Sequence, residues 1–124
     1  MAILGISFKG TSQEVTHSPA LPVIDSLIKH QAHLMVYDPV AMPSLKKERG
    51  EMLPFSVAQD MKEALTNADV CLILSDLPSV KDLKAIDFIR LMKKPLVFDG
   101  RNVFPLSMMK GVEYYSIGRP AVKP

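Results

Sequence analysis

The chain has 124 residues, 48% of them hydrophobic and 23% charged, with a formal net charge of +2. This is the size and composition of one globular domain, and it argues against intrinsic disorder. Lys and Arg are scattered without interleaved aromatics, which argues against a nucleic-acid partner, and the longest apolar run, Val70–Leu74, is far short of the roughly 20 residues a membrane helix needs.

In chain order, Ala2–Ile6 is a short apolar run and predicts a buried strand. A polar loop of eleven residues, Ser7 to His17, follows it. Ser18 then reads as an N-cap with Pro19 at the first helical position. Leu21, Ile24, Leu27 and Ile28 recur on one helical face, and the helix fades near His30–Ala32. His33–Tyr37 predicts a second strand, stopped by Asp38-Pro39. Residues 40–52 are polar and mixed, with a weak helical reading. Leu53–Val57 reads as an edge strand, since Pro54 disfavours a central place. Asp60 and Glu63 have the spacing of a capping box, opening a helix that runs through Asn67.

Val70–Leu74 is apolar at every position, as a strand buried on both faces requires. Asp82–Met92 predicts a helix with Leu83, Ile86 and Ile89 on its buried face and Phe88 and Leu91 beside them. Pro95–Phe98 and Val112–Ile117 predict the last two strands. The alternation of strands and helices predicts an α/β fold: a Rossmann-like three-layer α-β-α sandwich whose mostly parallel sheet has five or six strands. Residues 1–124 are expected to form a single domain.

A parallel sheet brings the carboxyl ends of its strands to one edge, where open α/β sheets bind ligands. The sequence places Ser7 to Thr11, Asp38, Ser75-Asp76 and Asp99–Asn102 there. Lys9 and Arg101 can converge on an anion at that edge, which predicts a phosphate-bearing ligand. The first loop is longer than a strand–helix link needs, which favours a functional role over a plain surface loop. Gly5-Ile-Ser-Phe-Lys-Gly10 lacks both the dinucleotide fingerprint and the P-loop spacing. Asp38 stands where a ribose-binding carboxylate often sits, or is a turn residue ahead of Pro39. Cys71, inside an apolar strand, reads as a structural thiol, and His30 and His33 as a solvated pair. No catalytic residue and no metal ligand is expected in the chain. The lone cysteine and the lack of a basic leader before Ala2–Ile6 predict a reducing, cytoplasmic setting.

Six motifs occur in register: Gly5–Lys9, Ser18–Leu21, Val36–Pro39, Ala68–Leu74, Val97–Asn102 and Tyr114–Arg119. Together they resemble the C-terminal domain of the UDP-glucose/GDP-mannose dehydrogenase family, over residues 2 to about 120. The resemblance implies a nucleotide-sugar-binding domain of an NAD-dependent enzyme that oxidises a sugar C6 alcohol to a carboxylate. It implies Phe8, Lys9 and Arg101 as contacts to a UDP-sugar. It also implies partner domains: an N-terminal domain that holds NAD, and a central helical region that carries the nucleophilic cysteine and forms a homodimer interface. Neither of those regions is visible in the sequence, which predicts a piece of a longer dehydrogenase. A standalone, non-catalytic binding or regulatory module is the other reading. Thr16 and His17 stand where the family often has arginine and glutamate, and Leu77 stands where it often has tryptophan.

Overall fold

The structure, a computed structural model, describes residues 1–7, 15 and 18–124. Its strands are β1 (Ala2–Leu4), β2 (Met35–Tyr37), β3 (Ser56–Val57), β4 (Cys71–Ile73), β5 (Leu96–Asp99) and β6 (Glu113–Ser116). Its helices are α1 (Ala20–Lys29), α2 (Met42–Arg49), α3 (Met61–Leu65) and α4 (Ala85–Leu91). The strands form one sheet in the order β3-β2-β1-β4-β5-β6, and each neighbouring pair is parallel. This is the Rossmann order, in which the direction of winding reverses between β1 and β4. An isolated antiparallel bridge from Tyr114 to Val122 folds the end of the chain back along β6.

Side-chain alternation along the strands builds two cores. Ile3 and Val36 face α1 and α2 and pack with Ala20, Leu21, Ile24, Met42 and Leu45. Ala2, Leu4, Cys71, Ile73, Val97 and Tyr114 lie in the other cluster, with Ala64 and Leu65 of α3 and Phe88 of α4. Burial on both faces thus explains why β1 is apolar throughout, while β4 is fully buried on one face and half-buried at Leu72 on the other. On the α1/α2 side the cover thins toward β6: Phe98 is 42% exposed, Ile117 is 66% exposed, and the Phe98 ring stacks on Tyr115 at 5.0 Å.

Several local expectations shift. α1 begins at Ala20, one turn position later than a Pro19 start, yet the Ser18 hydroxyl still accepts the Ala20 amide at 3.2 Å. The same hydroxyl donates to the Ile6 carbonyl at 2.6 Å, tying the helix start to the end of β1. Residues 42–49 form a definite helix, α2, anchored by buried Met42 and Leu45. A bidentate pair from Arg49 to Asp25, at 2.7 and 3.0 Å, joins it to α1 and holds the Asp25 carboxyl below its ordinary pKa. In α3 the Asp60 carboxylate accepts the Glu63 amide at 2.7 Å, while Glu63 reaches back to Gln59 rather than to Asp60.

The fourth helix departs most. Pro78–Asp82 is a separate 3₁₀ turn, and α4 starts only at Ala85, where the Asp87 carboxylate accepts the Lys84 amide. The later start turns Phe88 into the core and leaves Ile86 and Ile89 exposed, so the expected apolar face is rotated.

Candidate functional site

The carboxyl ends of all six strands share one edge, because all are parallel. At the centre of that edge, β1 and β4 part in opposite winding directions. Gly5, at φ +86, carries the chain out of β1 beside Ser75; a Cβ on it would lie 2.6 Å from the Ser75 Cβ. Only glycine permits both that backbone angle and that approach. Ser7 and Ser75, both buried, pair through their hydroxyls at 3.1 Å across the switch point.

Two buried carboxylates organise the loops on either side. Asp38 follows β2. Its Oδ2 accepts the amides of Ile6 and Ser7, at 2.8 and 3.1 Å. Its Oδ1 accepts those of Val40 and Ala41, at 3.1 and 3.0 Å. Four backbone donors fill the carboxylate's lone pairs, so its role is to join the exit of β1 to the entry of α2. The ribose-binding alternative therefore loses its acceptor, and the turn reading is correct.

Asp99 ends β5 in the same way. Its Oδ1 accepts the Arg101 amide at 3.0 Å, and its Oδ2 accepts the amides of Val103 and Phe104, at 2.7 and 3.3 Å. The Tyr114 hydroxyl also donates to Oδ2, at 2.5 Å. The loop is thus wrapped around one carboxylate, and it turns back with the Gly100 amide on the Ile73 carbonyl at 2.9 Å.

Arg101, the basic residue of that loop, lies where the parallel-sheet argument put it. Its guanidinium is 3.9 Å from the Asp76 carboxylate at the end of β4, and both side chains are partly exposed. The edge therefore presents a cation from β5 next to the switch point. Phe8, Lys9, Thr16 and His17 lie outside the described residues. Among the described residues no group of three or more His, Cys, Asp and Glu is arranged to hold a metal. Cys71 is fully buried in β4, and burial pushes its thiol well above the ordinary range, as befits a structural position.

What sequence reasoning missed is the partner side of Asp99. Tyr114 had no assigned role, although a tyrosine facing the core of a strand needs a partner for its hydroxyl. Arg119, three residues past β6, donates to that hydroxyl and to the Phe104 carbonyl, each at 2.9 Å.

Burial, and then the bond to Asp99, push the Tyr114 hydroxyl up to about 12. Cys71 is displaced in the same direction. The fold therefore holds both protons more tightly than the unfolded chain does. The stability this confers is complete below the unfolded-state values and is lost as pH rises toward the folded ones. The melting temperature is expected to fall steadily above about pH 9 in thermal scans, and a level profile up to about pH 11 would contradict this.

Comparison with known proteins identifies the family. Residues 2–105 match the UDP binding domain of the UDP-glucose/GDP-mannose dehydrogenase family, and the chain belongs to that family. It is 39% identical over 125 residues to UDP-glucose 6-dehydrogenase TuaD of Bacillus subtilis, covering 99% of this chain and 27% of TuaD. UDP-glucose 6-dehydrogenase YwqF of the same organism is 36% identical over 128 residues, covering 100% of this chain and 28% of YwqF. Among solved structures, the UDP-N-acetyl-mannosamine dehydrogenase Cap5O from S. aureus superposes with a TM-score of 0.72 at 31% identity, over 94% of this chain and 25% of Cap5O. The chain thus spans about a quarter of the length of the dehydrogenases it matches, and it corresponds to their UDP-binding part.

Proposed function

We propose that this chain grips the diphosphate of a UDP-sugar as one domain of an NAD-dependent nucleotide-sugar 6-dehydrogenase, which converts the sugar C6 alcohol to a carboxylate. The observation that carries the reading is Arg101, a cation held at the carboxyl edge of β5 beside the switch point, in a chain that matches a UDP binding domain. A diphosphate carries concentrated negative charge. The planar fork of a guanidinium meets it with paired, charge-assisted hydrogen bonds. Phe8 and Lys9 are assigned as further contacts from the first loop, because they match the family's Phe-Lys and share the edge in sequence.

The chemistry belongs elsewhere in the enzyme. The buried thiol of Cys71 is unsuited to covalent catalysis. The described residues do not fit a dinucleotide site either, since Asp38 spends both oxygens on backbone amides. NAD is therefore assigned to another domain. The thinly covered sheet face at Phe98, Tyr115 and Ile117 supports such an arrangement. Parallel sheets are ordinarily covered on both faces, and the remaining dehydrogenase domains are the proposed cover. No helix among the described residues is long and apolar enough to cross a membrane. The proposed setting is a cytoplasmic homodimer that supplies sugar acids for polysaccharide synthesis.

Calorimetric titration with UDP tests the site. Arg101→Ala is expected to weaken binding about 10-fold, the loss of one good charge-assisted contact, and to leave the melting temperature unchanged because its ion pair is largely solvated. Equal affinity in both proteins would remove Arg101 from the site. Given UDP-glucose and NAD, the 124-residue chain alone is expected to form no NADH, and steady NADH production would overturn the division of labour.

A further inference from the structure

The motif Tyr114–Arg119 lies beyond residue 105, where the family match ends, and the binding reading above makes no use of it. In space it grips the loop that carries Arg101. The Asn102 side chain pairs both ways with the backbone of Ile117: Nδ2 donates to the carbonyl at 2.9 Å, and Oδ1 accepts the amide at 2.8 Å. Tyr114 donates to Asp99, the carboxylate around which the loop is wrapped. Arg119 bridges from the Phe104 carbonyl to the Tyr114 hydroxyl and on to the Ser116 hydroxyl at 2.9 Å, with its guanidinium 5.8 Å from the centre of the Tyr114 ring.

We propose that this segment is a clamp that fixes where Arg101 presents its guanidinium to the diphosphate, a role that rests on the binding reading given above. The loop has two sides. Its inner amides are held by Asp99, and its outer turn is held by Asn102 against Ile117. Asn102 sits in the left-handed region, at φ 53, which asparagine tolerates and which aims its amide at the turn after β6. Arg101 is therefore flanked on both sides by fixed points, Asp99 and Asn102. A long, rotamer-rich side chain offers a defined geometry only if its backbone is held, and small misplacements of a binding group are costly. Asn102, Tyr114 and Arg119 are positioning residues, since they act through Arg101 rather than on the ligand.

The test compares Asn102→Gly and Tyr114→Phe with the unaltered chain and with Arg101→Ala. Glycine accepts φ 53 without strain, so Asn102→Gly removes the clamp and little else. Backbone ¹⁵N relaxation is measured on the free proteins. The Arg101 amide is expected to be rigid in the unaltered chain, with an order parameter near about 0.85, and to fall below about 0.6 in both variants while Ser75 and Asp76 stay ordered. UDP affinity is then expected to drop about 5- to 10-fold in both, with the salt dependence of binding retained because no charge has been removed. Arg101→Ala is expected to lose affinity and part of the salt dependence while its loop stays ordered. Unchanged order at Arg101 in both clamp variants would overturn the clamp, whatever happens to UDP. Lost order with undiminished UDP affinity, in a protein that Arg101→Ala does weaken, would overturn its positioning role. Full affinity in Arg101→Ala would instead remove the site reading beneath it.

Discussion

Asp99→Ala is expected to destabilise the domain by about 4 kcal/mol, because it takes the shared acceptor from four buried or partly buried donors at once. The carboxylate accepts the Arg101, Val103 and Phe104 amides and the Tyr114 hydroxyl, and it is itself 1% exposed. Alanine returns none of those bonds, and only the Tyr114 hydroxyl keeps a second acceptor, the Phe104 carbonyl at 3.3 Å. Each unsatisfied buried donor costs about 1–3 kcal/mol, so even with some water entering near Arg101 the total is a large part of a domain's stability of about 5–15 kcal/mol. Urea denaturation measures it directly. A loss below about 1 kcal/mol would mean that the loop is held by something other than Asp99.

Gly5→Ala carries the second large effect, expected at about 3 kcal/mol, from a left-handed backbone angle combined with overpacking. The added Cβ would lie 2.6 Å from the Ser75 Cβ and 3.0 Å from its carbonyl, at a φ of +86. β1 and β4 must then separate at the switch point, where Ser7 and Ser75 pair. Removing the Ser75 side chain tests the cause. The double variant Gly5→Ala/Ser75→Gly is expected to show a favourable coupling of about 1 kcal/mol in a double-mutant cycle, with the φ strain left over. Strictly additive losses would locate the damage elsewhere.

Much of the fold was legible because burial writes itself into composition. The unbroken apolar run Val70–Leu74 announced a strand inside the sheet, and β4 is the strand that pairs β1 with β5, though only its Cys71 and Ile73 face is fully covered and Leu72 is half-buried. Once the strands are parallel, topology alone carries Arg101 and Asp76 to a shared edge. The same residue-level reasoning failed where an element's start decides its face. The apolar spacing predicts a helix from Asp82, but Pro78–Asp82 turns as 3₁₀, and α4, starting at Ala85, buries Phe88 while Ile86 and Ile89 stay exposed.

The site was legible only in part. Asp38 and Asp99 both stood at strand ends as polar residues, and either could have faced a ligand. Their consumption by backbone amides depends on loop paths that spacing does not encode. The Asn102–Ile117 and Tyr114–Asp99 pairs each join residues fifteen positions apart, and they meet through the register of β5 and β6. A pattern read along one strand at a time has no access to that register.

In the proposed function, the edge beside the switch point binds the diphosphate of a UDP compound through Arg101. A ¹H–¹⁵N NMR titration of the chain, with UDP, uridine and NAD in parallel, tests it most directly. UDP is expected to shift the amides of Ser75, Asp76 and Gly100–Val103, uridine to leave them in place, and Arg101→Ala to move the UDP midpoint about 10-fold higher. UDP shifts confined to other surfaces, or no shift in that loop at saturating UDP, would contradict it.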